Sequence, residues 1–223
     1  MKKVGAITVG QAPRVDMTPE MIPLLGDSVM LIEKGGLDGL TREEIETFLP
    51  REGDHVLVSR MTDGSSVTFG ESWVLPKMQE KIDELVAEGV SLILFLCTGE
   101  FPDDFSCPVP MLFPNRILTA AVSAATSRNS RLAVLTPSSQ QIPQMYEKWS
   151  PYASFVTVAA VSPYKGKEAV AQAARELRRE NPDLIVLDCM GFTVEMKEAV
   201  REATGKPVFL PRTLVARYLA ELA

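Results

Sequence analysis

Two of the three cysteines in the sequence end two similar apolar runs. SLILFLCTGEF carries Cys97 at the end of its run, and PDLIVLDCMGF carries Cys189 in the matching place. Runs of this kind are typical of strands that are buried in a parallel sheet. Ligands of α/β proteins bind beyond the carboxyl ends of such strands. The pattern therefore predicts two thiols at binding positions.

Two thiols on opposite sides of a carbon atom could remove a proton from one face and return a proton to the other. This reaction inverts a stereocentre, and it needs no cofactor when one thiol is ionised and its partner is not. A free thiol has a pKa of about 8.5, so the site must stabilise both the thiolate and the developing carbanion. Backbone N–H groups and a helix N-terminus can do this. We expect Thr193 to cap the helix after Cys189 and to direct its positive end to the site.

Each of these residues also has a plainer interpretation. A single cysteine on an apolar strand is usually a small core residue, but the repetition favours a functional role for Cys97 and Cys189. Cys107, in SCPVPML, has no counterpart and is expected to be structural. Asp188 would raise the pKa of the Cys189 thiol if both side chains faced the site. Neighbouring strand residues point to opposite faces, so Asp188 could instead face a helix cap or act as a general base.

Strand-like apolar runs alternate with helical patterns along the chain. The strand-like runs are VGAITV, SVMLIE, HVLVSRM, SLILFLC, RLAVLT, ASFVTVAAV, DLIVLDC and PVFL. Apolar residues recur about every 3.6 positions in three segments, 75–86, 170–177 and 215–222. Thr18 before Pro19, and Thr41 with Glu44, are predicted helix caps. The alternation predicts βαβ units around parallel sheets, the α/β class.

The chain also resembles itself. VGAITVGQAP is echoed by RLAVLTPSSQQIP at an offset of 128 residues, from Val4 to Leu132, and the Cys97 segment is echoed by the Cys189 segment at an offset of 92 residues. The unequal offsets indicate an insertion in the first half, and HVLVSRMTDGSSVTF, which has no clear echo, is the candidate. We therefore predict two related α/β lobes. Their residues are 1–114 and 115–210, with a closing helix at 211–223 that could pack on the first lobe.

Loops at the ends of the opening strands supply ligand-binding candidates. The amides and hydroxyls of residues 10–14 and 136–139, with the charge of Arg14, would suit a carboxylate substrate. Arg14 could also be an ordinary surface residue. The predicted substrate-binding residues are Gln11, Arg14, Ser65, Thr98, Gly99, Thr136, Ser138, Ser139, Gly191, Phe192 and Thr193.

Composition narrows the classes of function. The chain has 223 residues, of which 46% are hydrophobic and 23% charged, and its net charge of −6 argues against a nucleic-acid partner. No segment approaches the roughly 18 apolar residues of a membrane span, and the first apolar run is too short for a signal peptide. We expect a cytoplasmic protein with reduced thiols. The apolar helix surface at NRILTAAVSAA could serve either the core or a homodimer contact.

The sequence carries no familiar cofactor or metal motif. His55 is the only histidine, and with scattered cysteines it lacks the ligand spacing of a metal site. Neither a GxGxxG motif nor a P-loop is present. We therefore expect no metal and no cofactor.

Four segments carry a resemblance to a known family. ITVGQAPRVDMTPEM, SRMTDGSSV, LDCMGF and the closing LVARYLAEL together resemble the AroM family, over nearly the whole chain. AroM-type proteins look like members of the wider aspartate/glutamate racemase superfamily, which includes hydantoin racemases, maleate isomerases and arylmalonate decarboxylases. The resemblance implies two Rossmann-like lobes related by a pseudo-two-fold axis, a site between them, and no pyridoxal phosphate or metal.

The superfamily's paired catalytic cysteines match Cys97 and Cys189, and its ligand-binding positions fall near Gln11 and on Thr98. The motifs depart from the common pattern in two places. Asn-Thr follows the first cysteine of many racemases, whereas Thr-Gly follows it here. The second cysteine often stands in Gly-Cys-Thr-His, whereas here it stands in Asp-Cys-Met-Gly.

Three hypotheses follow. The leading one is a cofactor-independent racemase- or isomerase-like enzyme, in which Cys97 and Cys189 exchange a proton with a small carboxylate held by Arg14, Ser65 and the loop amides. With one active thiol, the same pocket could instead decarboxylate a malonate or isomerise a double bond through a covalent adduct. The third is a non-catalytic protein that senses a small acidic metabolite, which Asp188 would favour by making the neighbouring thiol inert.

Overall fold

The computed structural model describes residues 1–223 as strands that alternate with helices. The ten strands are β1 Lys2–Thr8, β2 Val29–Gly35, β3 Val56–Arg60, β4 Ser66–Gly70, β5 Leu92–Phe95, β6 Met111–Leu112, β7 Arg131–Thr136, β8 Phe155–Ala160, β9 Leu184–Leu187 and β10 Val208–Phe209. The eight α-helices are α1 Thr18–Leu25, α2 Arg42–Glu46, α3 Glu71–Ala87, α4 Pro114–Ala125, α5 Ile142–Trp149, α6 Lys167–Leu177, α7 Val194–Thr204 and α8 Pro211–Leu222. None of the helices combines the length and the apolar character that crossing a bilayer requires.

The chain divides into two compact units. Lobe 1 comprises Met1–Asn115 and Ala216–Ala223, and lobe 2 comprises Arg116–Val215. Each lobe holds a four-stranded parallel sheet, in the order β2-β1-β5-β6 in lobe 1 and β8-β7-β9-β10 in lobe 2. In both sheets the first strand of the lobe, β1 or β7, is central. The strand that leads to the cysteine, β5 or β9, lies beside it. The predicted α/β class with parallel sheets is confirmed.

Backbone hydrogen bonds show that the two sheets repeat one pattern. The Leu96 N–H donates to the Ile7 carbonyl at 2.7 Å, and the Asp188 N–H donates to the Leu135 carbonyl at 2.8 Å. The two donors directly precede the two cysteines, and the two acceptors occupy the same place in the opening strands. The internal resemblance in the sequence is therefore a resemblance in backbone structure.

The cysteine-bearing strands are buried along their whole length. LILF in β5 and LIVL in β9 contain only buried residues. Such continuous apolar runs arise because helices cover both faces of a parallel sheet. In β9, Ile185 and Leu187 belong to one apolar cluster, whereas Leu184 and Val186 belong to another. Alternate residues of this strand thus contribute to two separate parts of the lobe 2 core.

A two-stranded antiparallel hairpin in lobe 1 has no counterpart in lobe 2. It pairs β3 with β4, and buried residues alternate with less buried ones along β3 and along β4 as far as Phe69, as expected when one face of a hairpin packs on a core. Gly64 in its turn has a φ of +85°, a backbone conformation that glycine adopts at little cost. The hairpin accounts for HVLVSRMTDGSSVTF, so the predicted insertion is confirmed.

Of the two helix caps predicted in lobe 1, the one at Thr41 is confirmed and the one at Thr18 is wrong. At α2 the Thr41 hydroxyl accepts from the Glu44 N–H at 3.3 Å, and the Glu44 carboxylate accepts from the Thr41 N–H at 2.8 Å. Thr18 is instead the first residue of α1, and its single hydroxyl hydrogen is shared between the Arg14 carbonyl oxygen at 3.1 Å and a Glu33 carboxylate oxygen at 3.2 Å. A nearby carboxylate acceptor has replaced the capping bond.

Candidate active site

Cys97 and Cys189 occupy equivalent positions just beyond β5 and β9. The Gly99 N–H donates to the Cys97 Sγ at 3.4 Å, and the Gly191 N–H donates to the Cys189 Sγ at 3.3 Å. Neither cysteine takes part in a disulfide, and both are half-buried. A hydrogen bond to the charged form of a group favours that form. Each lobe therefore supplies its sulfur with a backbone donor that would stabilise a thiolate.

A side chain at either of these two glycine positions would crowd an apolar neighbour more than the sulfur. A Cβ atom on Gly99 would lie 3.5 Å from the Cys97 Sγ and 3.3 Å from a methyl carbon of Leu57. A Cβ atom on Gly191 would lie 3.4 Å from the Cys189 Sγ and 3.0 Å from a ring carbon of Pro163. Carbon atoms are in favourable contact at about 3.5–4.0 Å, so the Gly191 position is the more crowded one.

A capped helix follows Cys189. The Thr193 hydroxyl accepts from the Met196 N–H at 3.1 Å, and α7 begins at the next residue, Val194. The predicted cap is confirmed. The N-terminus of a helix carries a partial positive charge. Lobe 1 differs here, because residues 96–110 after β5 contain no helix.

The carboxylate of Asp188 is paired with cationic and aromatic donors on α5. Lys148 Nζ lies 3.0 Å from one carboxylate oxygen and 2.8 Å from the other, and Trp149 Nε1 donates at 2.8 Å. The side chains of Lys148 and Asp188 are only 3% and 1% exposed. Asp188 therefore lies on the side of the lobe 2 sheet where Trp149 packs. Cys189 packs against the other apolar cluster of lobe 2.

Arg14 is a buried residue whose charge is compensated. Its Nε and Nη2 atoms donate to the two carboxylate oxygens of Asp16, both at 2.8 Å. Its Nη1 atom donates to the Thr8 hydroxyl at 2.9 Å and to the Ser59 hydroxyl at 3.3 Å. The side chain is 3% exposed, so the surface alternative is wrong. Its predicted role in holding a carboxylate stays a prediction, and that role must operate beside Asp16.

The Gln11 side chain connects the loop after β1 to two other loops by hydrogen bonds. Its Nε2 atom donates to the Leu37 carbonyl at 3.3 Å and to the Leu40 carbonyl at 2.8 Å. Its Oε1 atom accepts from the N–H of Thr62 at 2.9 Å and from its hydroxyl at 3.0 Å. These four bonds use both amide hydrogens and both acceptor positions. Binding of substrate by the Gln11 amide would require it to exchange one of them.

Ser65 lies in the turn of the hairpin. Its N–H and hydroxyl both donate to an Asp63 carboxylate oxygen at 2.7 Å. These bonds, the hydroxyl bond first, hold the pKa of the Asp63 carboxyl below its ordinary value. Thr98, which follows the first cysteine, is buried with 7% exposure.

The candidates after β7 form one hydrogen-bonded loop. The Thr136 hydroxyl donates to Gln141 Oε1 at 3.1 Å, and the Ser138 N–H donates to the same oxygen at 3.2 Å. Ser138 also caps the following turn, and Ser139 is exposed. Phe192, in contrast, is fully buried in an apolar cluster of lobe 2, so its side chain serves the core.

Several residues near these candidates were missed by sequence reasoning. They are Asp16, Lys148, Trp149 and Arg212. The Arg-x-Asp spacing could have indicated Asp16, since a paired arginine needs a nearby carboxylate. Lys148 and Trp149 carry no signal, because their partner lies on a distant strand. Arg212 could have been found by aligning MLFPN with VFLPR, the segments that end the two repeats.

No metal-binding cluster accompanies these side chains. The structure contains no group of three or more His, Cys, Asp or Glu residues that is placed to hold a metal ion. His55 Nδ1 lies 3.3 Å from a Glu71 carboxylate oxygen, at the start of the hairpin.

Comparison with protein families decides the assignment of the chain. The model of the AroM protein family matches residues 4–223. The chain belongs to the AroM family. No curated protein matches this AroM chain.

Solved structures share the fold of this AroM protein. Aspartate racemase from Picrophilus torridus is 14% identical with a TM-score of 0.65, over 100% of this chain and 94% of that chain. Allantoin racemase from Pseudomonas fluorescens is 13% identical with a TM-score of 0.61, over 99% and 89%. An arylmalonate decarboxylase is 14% identical with a TM-score of 0.59, over 98% and 92%. The AroM chain thus has the fold of the aspartate/glutamate racemase superfamily.

Proposed function

We propose that this AroM protein is a cofactor-independent racemase- or isomerase-like enzyme that acts on a small carboxylate. Cys97 and Cys189 are its acid and base. The observation that carries the proposal is the repeated arrangement of the two thiols. Each lies beyond the cysteine-bearing strand of its own sheet and accepts a hydrogen bond from the N–H two residues later.

The reaction is a balanced transfer of two protons. The thiolate of one cysteine takes the proton from the carbon next to the carboxylate, and the C–H electron pair moves into the adjacent carboxyl group. The thiol of the other cysteine then gives its proton to the opposite face of that carbon. The first sulfur ends as a thiol and the second as a thiolate. The next turnover can therefore run in the reverse direction without a redox partner.

The protein must lower the free energy of two species, the thiolate and the carbanion. The N–H groups of Gly99 and Gly191 serve the thiolates. Arg14, Ser65 and the hydroxyls and amides of residues 136–139 are the groups that we assign to the substrate carboxylate. Oriented donors in a site that excludes water stabilise developing charge far more than donors in bulk water.

A decarboxylase is the second candidate, since an arylmalonate decarboxylase shares the fold. In that reaction the carboxylate leaves as CO₂, the electron pair stays on the carbon, and one thiol supplies the proton. A single cysteine is then sufficient. The sensor hypothesis has less support, because the Asp188 carboxylate is engaged by Lys148 and Trp149 and packs with them rather than with the neighbouring thiol.

Deuterium exchange tests the proposal. We would incubate the protein in deuterated water with single enantiomers of aspartate, glutamate, allantoin and related small acids, and follow the Cα hydrogen by NMR together with the optical rotation. Exchange with loss of optical activity is the expected result for at least one acid. The Cys97→Ser and Cys189→Ser variants should each lose racemisation by several orders of magnitude, because serine is a much weaker acid and base.

Cys107→Ser is the matched control, since Cys107 is also a half-buried thiol of lobe 1. It should keep full activity. Decarboxylation of a malonate that depends on only one of the two cysteines would replace the racemase by the second candidate. Tight binding of an acid without exchange, unaffected by either serine variant, would replace both by the sensor.

A further inference from the structure

One peptide group connects a buried arginine to the second thiol. Arg212 is fully buried, and its Nε and Nη2 atoms donate to the Met190 carbonyl oxygen at 3.0 and 2.8 Å. The N–H of the same peptide belongs to Gly191 and donates to the Cys189 Sγ at 3.3 Å. The guanidinium, the peptide and the sulfur therefore form one continuous hydrogen-bonded chain.

We propose that Arg212 is a positioning residue that polarises the Met190–Gly191 peptide, so that Cys189 rather than Cys97 carries the thiolate in the resting protein. This inference rests on the proposed function, because it assigns base and acid to the two thiols. Two donors on the carbonyl oxygen draw electron density from the peptide nitrogen and make its N–H more positive. Linked hydrogen bonds strengthen one another in this way by about 10–30% per bond.

The charge of Arg212 adds to this effect. A buried cation is screened by salt much less than an exposed one, and its field favours a negative sulfur at the other end of the peptide. The two bonds also fix the peptide plane, which holds the N–H in its direction toward the sulfur. Both contributions reach Cys189 through the Met190–Gly191 peptide, which the guanidinium and the sulfur share.

Lobe 1 offers an internal comparison, because it places a neutral residue at the matching position. Two equivalent backbone bonds of 3.0 Å align the ends of the repeats, from Ile93 N to the Pro110 carbonyl and from Ile185 N to the Pro207 carbonyl. This alignment matches Asn115 with Arg212. Asn115 donates through Nδ2 to a Glu100 carboxylate oxygen at 3.5 Å. In lobe 1, therefore, the side chain at the position that matches Arg212 is an uncharged amide.

The other charged and titratable groups of lobe 2 near this thiol are compensated or neutral. Asp188 on the preceding residue is paired with Lys148. Glu195, in the first turn of α7, is exposed and paired with Lys167. The Tyr164 hydroxyl lies 3.3 Å from where a Cβ atom on the donor glycine would be. The N-terminus of α7 adds a further partial positive charge.

Alkylation as a function of pH tests the inference. In the intact chain, one variant keeps only Cys189 (Cys97→Ser with Cys107→Ser), and a second keeps only Cys97 (Cys107→Ser with Cys189→Ser). The rate of reaction with iodoacetamide between pH 5 and 10 reports the thiolate fraction, since the thiolate is the nucleophile. We expect the midpoint for Cys189 to lie at least about one pH unit below that for Cys97, which is roughly a tenfold difference in thiolate.

Variants of Arg212 identify the cause. In the background that keeps only Cys189, Arg212→Met should move the midpoint to higher pH, and Arg212→Lys should recover part of the shift because it retains the charge. Arg217→Met, at an exposed position of the same helix, is the control and should leave the profile unchanged. A role of Arg212 in folding alone would change the unfolding midpoint without moving the titration of a folded variant.

Two results would overturn the inference. One is a Cys189 midpoint equal to or above that of Cys97. The other is a folded Arg212→Met variant with an unchanged profile. If neither Arg212 variant folds, the order of the two midpoints decides. Alkylation needs no substrate turnover, so this test is independent of the exchange experiment. A protein without racemase activity could still show the predicted order, and an active one could contradict it.

Discussion

Lobe 1 and lobe 2 repeat one sheet topology but surround their cysteines differently. The residue before Cys97 is Leu96, a buried apolar side chain, whereas the residue before Cys189 is Asp188, held by Lys148. The backbone hydrogen bonds of the two positions are nevertheless the same. The repeated backbone therefore sets the place of each thiol, while the neighbouring side chains can give the two thiols different acidities.

The loops after the opening strands differ in a similar way. In lobe 1 this loop is stabilised by hydrogen bonds to residues outside the loop. Gln11 bonds to Thr62, which follows the hairpin strand β3, and Arg14 bonds to Ser59 in β3. In lobe 2 the loop is stabilised by a hydrogen bond between two of its own flanking residues, Gln141 and Thr136. The inserted hairpin has thus given lobe 1 a support that lobe 2 provides locally.

The largest expected effect concerns the buried ion pair of lobe 2. Asp188→Leu copies the lobe 1 residue but leaves Lys148 buried without its carboxylate. We expect the free energy of unfolding to fall by about 3–5 kcal/mol, because removal of one partner leaves an uncompensated charge. Urea unfolding followed by circular dichroism measures this loss.

The double variant Asp188→Leu with Lys148→Met sharpens the comparison. It removes both charges, so most of the lost stability should return. Leu96→Met in lobe 1 is the matched control, and such a volume-conserving change should cost less than about 1.5 kcal/mol. If Asp188→Leu alone were as mild as the control, the two lobes would tolerate the same side chains, and the proposed difference between them would be lost.

An intermediate effect is expected at the cap of α7, the helix that only lobe 2 has after its cysteine. Thr193→Ala removes the acceptor of the Met196 N–H, and loss of such a cap costs about 1 kcal/mol. It should also slow alkylation of Cys189 at neutral pH, by less than tenfold, because the helix end becomes less ordered. The measurements are urea unfolding and iodoacetamide rates.

Thr41→Ala is the control in lobe 1. It removes a comparable cap from α2 and should cost a similar free energy without changing the Cys189 rate. Equal changes in alkylation for the two variants would mean that the helix after Cys189 has no special influence on its thiol.

The smallest effect is expected for an exposed ion pair of lobe 1. Lys34 Nζ lies 2.8 Å from a Glu88 carboxylate oxygen and 3.4 Å from a Glu84 oxygen. The pKa of the Glu84 carboxyl is lowered, first by a hydrogen bond from Lys81 and then, after an opposing effect of burial, by the Lys81 charge and Lys34. Because Glu84 is 42% exposed, solvent screening keeps the contribution to at most about 1 kcal/mol.

The lowered pKa of Glu84 determines how the stabilisation by this ion pair changes with pH. The folded-state pKa of Glu84 lies below its unfolded value, so the stabilisation is present above about pH 4.3 and is lost as the pH falls through the folded value. Glu84→Gln should therefore be slightly destabilising in urea at pH 7, and this effect should shrink as the pH falls below about 4.3. A large effect at pH 7, comparable to that of Asp188→Leu, would contradict the distinction between exposed and buried pairs.

Much of the fold could be predicted because its signals are local. The run RLAVLT was predicted as a strand and forms β7 over the same residues, Arg131–Thr136. The hairpin was found as an insertion because it breaks the offset between the repeats. β6 was missed, since it contains only Met111 and Leu112, and two residues carry no periodicity.

The polar partners could not be predicted in the same way. Lys148 and Asp188 are 40 residues apart in the sequence, and Arg212 and Met190 are 22 apart. Nothing in the composition of either segment pairs them. For the same reason the sequence indicated that Arg14 was important but not that Asp16 would neutralise it.

The amino-acid sequence by itself determined the class of fold, the internal repeat and the position of a cysteine at the end of one strand in each lobe. Periodic burial of apolar side chains encodes these features over short stretches of chain. Only the tertiary structure decided which groups surround each sulfur. Hydrogen bonds and buried charges depend on distances between residues that folding alone brings together, and these contacts distinguish the two thiols.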